Sequence, residues 1–342
     1  MINAQASHSG TFGRLRCDPR ETTVTRRNLL YIRWGVFMLA CGFLWVRLGQ
    51  QAGVRHSWWL WRSNAEPLPW GVLAGVGMLM LVNWGAEALK WRWLMEPVQR
   101  LSFVRACQAT IAGTSIGLIT PNRVGEFAGR VLFLDPEHRV QGSFCTLLGS
   151  IAQFVVTLLI GALVLPFTAF IHSGAEQPGF AWDVVGWCTL LISGAAVFLY
   201  FNPRVFGRML LAVPWLKRYE QHAQVLGSYD RGVLLRVFLL SLARYGVFTL
   251  QFVIVLGAIA HVEPFSALSA VPVVFLITTL VPTMALTELG VRGSVAASVI
   301  PGDDVAIIVA ATMIWIINIV LPALVGALIL LGARIRTGPN MP

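Results

Sequence analysis

Arg123, Glu126 and Arg130 stand in A-T-I-A-G-T-S-I-G-L-I-T-P-N-R-V-G-E-F-A-G-R, Ala109 to Arg130, where the surrounding composition is that of a hydrocarbon-embedded helix. A charged residue at the centre of a membrane helix costs about 2.5 to 3.5 kcal/mol to insert, so such residues face a protein-lined cavity and mark a site. The stretch L-I-T-T-L-V-P-T-M-A-L-T-E-L-G-V-R-G-S-V-A, Leu276 to Ala296, repeats the design. In each, a proline (Pro121, Pro282) interrupts an apolar run, a glutamate follows five or six residues later (Glu126, Glu288), and an arginine four residues after that (Arg130, Arg292). The glutamates lie 162 residues apart, at positions 126 and 288, close to half the chain. This spacing reads as an internal repeat.

Glu and Arg four apart share a helix face, in the more favourable order for an ion pair. Two roles for the pair stay open. It either fixes a helix inside the membrane or forms half of an anion site. For the second role, a half-helix starting after Pro121 directs free N–H groups and a positive dipole end inward, beside Arg123 and Arg130. Asn122 and Thr287 are the expected caps of the two half-helices. Gly125 and Gly290, with the two prolines, are the expected break points. Arg244, about twelve residues into its own apolar run, is a further deep charge that joins the cavity or pairs with a glutamate. Repetition in both halves favours function, with Asn122, Arg123, Glu126, Arg130, Arg244, Thr287, Glu288 and Arg292 as the substrate-binding set.

The elements that must carry these residues follow from composition. The chain has 342 residues, 56% hydrophobic and 12% charged, with mean hydropathy +0.69, which describes an all-α polytopic membrane protein and excludes a soluble domain. The net charge of +10 flanks apolar segments, as membrane orientation requires, so nucleic acid is not the expected partner. The five cysteines, Cys17, Cys41, Cys107, Cys145 and Cys188, are scattered and odd in number, and indicate neither a disulfide framework nor a metal site.

Residues 1–28 read as a disordered basic cytoplasmic tail. Its T-R-R-N-L-L has a faint likeness to an export signal, but more membrane segments follow. Runs at about 29–48, 68–87, 144–171, 183–201, 233–260 and 305–332 match the roughly 20 residues that a bilayer crossing needs. Between them the two broken stretches have arms at about 104–119 and 122–135, and at about 266–281 and 287–300. Lys and Arg concentrate in the tail, in 89–105, in 203–236 and at Arg334 and Arg336, while 172–182, 261–266 and 301–304 contain none. The basic side is cytoplasmic, which puts both termini inside a cell (inner) membrane. Only Arg55 and Arg62 run against this assignment.

The first broken stretch (about 104–135) is then expected to enter from the inside and return, and the second (about 266–300) to do so from the outside. They form two oppositely oriented re-entrant hairpins of an inverted repeat within a transmembrane domain at 29–334, followed by a tail at 335–342. Non-helical backbone at membrane depth survives only where protein or a water-filled cavity surrounds it, so the tips should meet at a polar centre. The alternative is that each arm is a short full span. The connection 203–229 reads either as an amphipathic helix on the cytoplasmic surface, in contact with anionic lipids, or as a basic loop.

Other polar residues carry less. Glu87, Lys90 and Arg92 are expected near a span end, where snorkelling makes them ordinary. Asn83, Gln153, Gln251 and Asn318 read as helix-to-helix hydrogen bonds. No H-E-x-x-H, G-x-S-x-G or phosphate-binding loop occurs, so no enzyme activity, cofactor or metal is expected. Glu126 and Arg130 are similar to the E-E-x-x-x-R of membrane-embedded prenyl-protein proteases, but Gly125 replaces the first glutamate and the downstream histidines are missing.

G-T-S-I-G-L-I-T-P-N-R-V-G-E-F-A-G-R at Gly113 to Arg130 and V-P-T-M-A-L-T-E-L-G-V-R-G at Val281 to Gly293 resemble the membrane region of lysylphosphatidylglycerol synthases. These belong to a flippase-like family also found without the synthase part. The likeness covers about 29–334, though only the two motifs are specific, and the second has Met284, Ala285 and Leu286 where the family carries more glycine. The resemblance implies movement of a phospholipid, aminoacyl-lipid, glycolipid or isoprenoid-linked lipid between leaflets. After Arg334 only I-R-T-G-P-N-M-P remains, and no synthase activity is expected of it. The competing classes are a membrane-embedded lipid-modifying or proteolytic enzyme using Glu126, and a non-catalytic partner of a lipid or envelope synthesis enzyme. A second copy of the chain is a further candidate partner.

Overall fold

The computed structural model describes residues 68–120, 123–172, 180–281 and 285–332, without the side chains of 167–172, 180–183, Trp215 and 285–287. The basic tail, the apolar run at 29–48, Pro121, Asn122, Pro282 and the C-terminal tail lie outside the described residues, as does the side chain of Thr287. Everything described is helix, turn or loop; there is no strand among the described residues.

The helices are α1 (Trp70–Met95), α2 (Phe103–Leu118), α3 (Gly125–Val131), α4 (Arg139–His172), α5 (Phe180–Phe201), α6 (Pro203–Leu211), α7 (Glu220–Ala223), α8 (Arg231–Ile259), α9 (Pro264–Leu280), α10 (Ala285–Val299), α11 (Asp304–Trp315) and α12 (Leu321–Gly332). Five stretches are long and apolar enough to cross a membrane: α1, Pro136–Pro166, Val184–Phe201, α8, and Asp304–Gly332, which joins α11 to α12. A π turn at Ile316–Val320 makes that join. Pro322, four residues after Asn318, offers no N–H, and the Asn318 carbonyl accepts from Trp84 Nε1 at 3.2 Å.

Local chemistry sets the helix starts. Ser102 accepts from the Arg105 N–H, Asp230 from Val233, Glu263 from Ser266 and Asp303 from Val305, each satisfying a first-turn donor. Glu263 and Asp303 are therefore explained as caps. Orientation rests on the missing Lys and Arg in those loops, not on the acids.

Helix α1 packs on α8; α2 packs on α12 while α9 packs on α4; α3 follows α2 onto α4 as α10 follows α9 onto α11. Glycines allow the closest crossings. A Cβ on Gly326 of α12 would lie 2.1 Å from the Ile111 carbonyl of α2, and one on Gly161 of α4 would lie 2.7 Å from Leu276 of α9.

A longer seam of glycines joins α2 to α3. A Cβ on Gly129 would sit 2.5 Å from the Gly113 Cα, one on Gly125 2.5 Å from the Ile116 carbonyl, and one on Gly117 2.4 Å from Glu126 Cγ. Gly113 and Gly117 are four apart, as are Gly125 and Gly129, a small-residue pattern that lets helix backbones touch where no hydrophobic effect drives them together. Gly129→Ala should therefore cost about 1 to 3 kcal/mol through overpacking against backbone. Gly77→Ala, whose Cβ meets nothing within 4 Å, should be neutral or slightly stabilising. Unfolding midpoints of the two variants in detergent check this.

Apolar side chains turned outward complete the picture. On α5, Trp187, Leu191, Ile192 and Phe198 are all more than half exposed, a surface that water would not tolerate but acyl chains cover. The connection after α5 is broken into α6, a 3₁₀ turn at Pro214–Tyr219, α7 and another at Gln224–Ser228. It is thus a chain of short helical pieces, between the two alternatives of one amphipathic helix and a loop. Proline at 203 and 214 starts two of the pieces.

Candidate functional site

Glu87 is the centre of the site. Asn83, Glu87 and Lys90 recur on one face of α1 at helical spacing, and Asn83, Glu87 and Lys90 are 0%, 5% and 1% exposed. The expectation of an ordinary span end fails because α1 continues to Met95, two turns beyond the apolar run. Lys90 Nζ lies 2.7 Å from Glu87 Oε2 and donates to the Gly149 carbonyl at 3.2 Å. Arg130 Nη1, from α3, lies 2.7 Å from Glu87 Oε1. Arg244 Nη1, from α8, bonds Glu87 Oε2. One carboxylate thus ties α1, α3 and α8 together.

Arg244 is held further by Asn83 Oδ1 at 2.9 Å and Gln153 Oε1 at 3.2 Å. Gln251 does what was expected of it and donates to the Val76 carbonyl at 2.9 Å; Gln153 likewise donates across helices, to the Ser241 carbonyl at 3.4 Å, and with Asn83 also belongs to the charge cluster. Asn318 donates within its own helix, to the Ile314 carbonyl.

The two repeated motifs flank this centre. Arg130 and Glu126 are 3.5 Å apart, but the close partner of Glu126 is Arg123, at 2.6 Å. Arg292 and Glu288 pair at 2.8 Å within α10, and the Arg292 guanidinium stands 5.8 Å from the Phe275 ring centre, inside cation–π range. Arg123 has φ 57°, a left-handed conformation costing a non-glycine residue about 1 kcal/mol or more that is kept where the surroundings over-determine it. The strained turn aims its guanidinium at Glu126.

Two local expectations are corrected, while the capping expected of Asn122 falls outside the described residues. The Gly125 N–H at the start of α3 is met by Thr120 Oγ1 at 2.8 Å, a residue not singled out for capping. Thr287 is the third residue of α10 as described and lies inside the helix, not ahead of it. Gly290 sits inside continuous helix and breaks nothing, while Gly125 serves close packing against α2.

Two connected hollows join these groups. One, of about 520 Å³, is lined by Arg123, Arg244, Glu288 and Arg292 with Phe248 and Phe275. The other, of about 430 Å³, reaches Glu87, Lys90, Glu126 and Arg130. They share Arg123, Gln153, Thr157, Arg244, Phe248 and Thr279, and form one recess of the size that holds a ligand headgroup. Among the described residues, Nε of Arg123, Arg130 and Arg292 is buried without a hydrogen-bond partner, leaving charge-assisted donors for an anion. No group of three His, Cys, Asp or Glu that could hold a metal occurs among the described residues. Comparison with protein families, with characterised proteins and with solved structures returns no match.

Proposed function

We propose that this chain is a lipid translocase: a phosphate-bearing headgroup enters the recess while its tails stay in the bilayer. The observation that carries the reading is the convergence of both repeated motifs on one arginine-rich recess inside an apolar helical body, with Arg123 lining both of its lobes and Glu288 and Arg292 lining one. Uncompensated guanidinium groups at that depth are costly, and an anion offsets the cost. The wall is half polar and half apolar, with Phe248, Phe275, Leu280 and Val281 beside the charges, and Leu280 and Val281 are themselves exposed. That arrangement suits an amphiphile.

The α2–α3 and α9–α10 units act in this reading as opposed re-entrant hairpins of an inverted repeat, a design that gives alternating access to a shared midplane site. Their closed bases support it. Arg105, in the first turn of α2, donates to the Phe133 carbonyl beyond α3 at 3.0 and 2.7 Å. Val262, before α9, lies within 3.6 Å of a Cβ placed on Gly302, beyond α10. Each unit thus starts and ends in one place. Single cysteines in a cysteine-free background at the exposed positions 100 and 137 should both label from the cytoplasmic side, and at 263 and 303 from the external side. Labelling of 100 and 137 from opposite sides would mean that the first unit crosses, and would end the hairpin mechanism.

Activity is tested by reconstitution. Purified protein in vesicles should exchange acyl-labelled lipid between leaflets without altering it. Covalent change of the lipid would instead identify an enzyme acting through Glu126, and neither outcome would point to a partner of a synthesis enzyme.

A further inference from the structure

We propose that the headgroup taken by the recess carries a dianionic phosphate, as a phosphomonoester or a diphosphate, and is not the zwitterionic or singly charged phosphodiester of bulk membrane lipid; this rests on the translocase reading. The charge arrangement argues for it. Among the described residues five cations, Lys90 and the four arginines, line the two lobes against three carboxylates, Glu87, Glu126 and Glu288. Two of the carboxylates are matched one to one in the closest contacts, Glu126 with Arg123 and Glu288 with Arg292. Glu87 alone is shared by Lys90, Arg130 and Arg244, so the excess of two positive charges is centred on that carboxylate.

An uncompensated charge away from water is disfavoured far more strongly than a paired one. The occupant that brings this recess to neutrality carries two negative charges. A dianionic phosphate also supplies the geometry, because its oxygens accept several charge-assisted bonds at once, and the free Nε–H groups of Arg123, Arg130 and Arg292 come from two different walls. An ammonium-bearing headgroup meets the opposite situation. Each carboxylate of the recess already holds a cation at 2.8 Å or closer, and a further positive charge would add to an existing excess. The aminoacyl-lipids among the candidate substrates are therefore disfavoured.

The test uses the full chain in vesicles at pH 8, with acyl-labelled phosphatidic acid, phosphatidylglycerol and phosphatidylethanolamine measured separately, and inorganic pyrophosphate as a water-soluble competitor. Phosphatidic acid should exchange at least tenfold faster than the other two, and pyrophosphate should slow it. Lys90→Met, which removes one excess cation and leaves every arginine in place, should reduce the preference for phosphatidic acid over phosphatidylglycerol about tenfold. Equal exchange of all three lipids by the unmodified protein overturns the dianion assignment and leaves the translocase standing. Pyrophosphate binding without exchange of any lipid keeps the dianion and overturns the lipid. Preference for phosphatidic acid that survives Lys90→Met unchanged overturns the charge excess as its cause. If Lys90→Met cannot be purified folded, the comparison of the three lipids on the unmodified protein decides alone.

Discussion

Glu87→Gln is expected to be the most destabilising single substitution in the described part of the chain, by about 3 to 5 kcal/mol, the range seen when one partner of a buried charge cluster is removed. Glutamine keeps the shape, so no cavity forms and only charge is lost. Lys90, Arg130 and Arg244, which now share the carboxylate, would be left with Glu126, 3.5 Å from Arg130, as their nearest counter-charge. Three helices would be pushed apart at their common contact. Denaturant unfolding in detergent measures the loss. Combining Glu87→Gln with Lys90→Met should recover part of it, because the double variant buries one fewer unpaired cation, and contacting residues of this kind are non-additive. A Glu87→Gln protein within about 1 kcal/mol of the parent would show that water screens the cluster, and the electrostatic argument for the recess would fall with it.

Arg292→Ala should behave in the opposite way, retaining the fold and losing transport. Its ion pair with Glu288 lies within one helix, with both side chains 14% exposed, so its removal costs the packing between elements little beyond the cation–π contact with Phe275 of α9. A charged group that bonds a phosphate contributes about 1.5 to 3 kcal/mol, which corresponds to a fall in leaflet exchange of roughly 10- to 100-fold. Arg130→Ala, by contrast, should lose both fold and transport, since Arg130 bonds Glu87 across the α1–α3 contact at 2.7 Å. The two repeated arginines are therefore unequal. If Arg292→Ala unfolds while simultaneous replacement of Glu288 and Arg292 by leucine restores folding and full exchange, the pair is structural and the site is wrongly assigned.

Much of this was legible in the residues alone. Apolar run lengths locate the helices to within a turn or two, because the bilayer sets a minimum length and a maximum of charge, and α4, α5, α8 and the α11–α12 pair fall where hydropathy puts them. The repeat of proline, glutamate and arginine marks out the two arms of each broken stretch, and both i, i+4 pairs form, because a helix of fixed pitch brings residues four apart together whatever surrounds it.

Which charges meet across helices was not legible. Glu87 and Lys90 read as a span end, since hydropathy counts residues and cannot tell a helix that stops from one that continues under cover of others; burial by α2, α4 and α8 is what lets α1 carry charge two turns before its end. Likewise, nothing in Arg130 or Arg244 by itself selects Glu87 as partner. That choice depends on the separation and rotation of α1, α3 and α8, of which backbone approach at Gly113 and Gly129 sets how closely α3 lies on α2. Local spacing is written in the chain because it depends on helix pitch alone, whereas the charge balance of the recess belongs to no single segment and exists only once packing has brought the halves together.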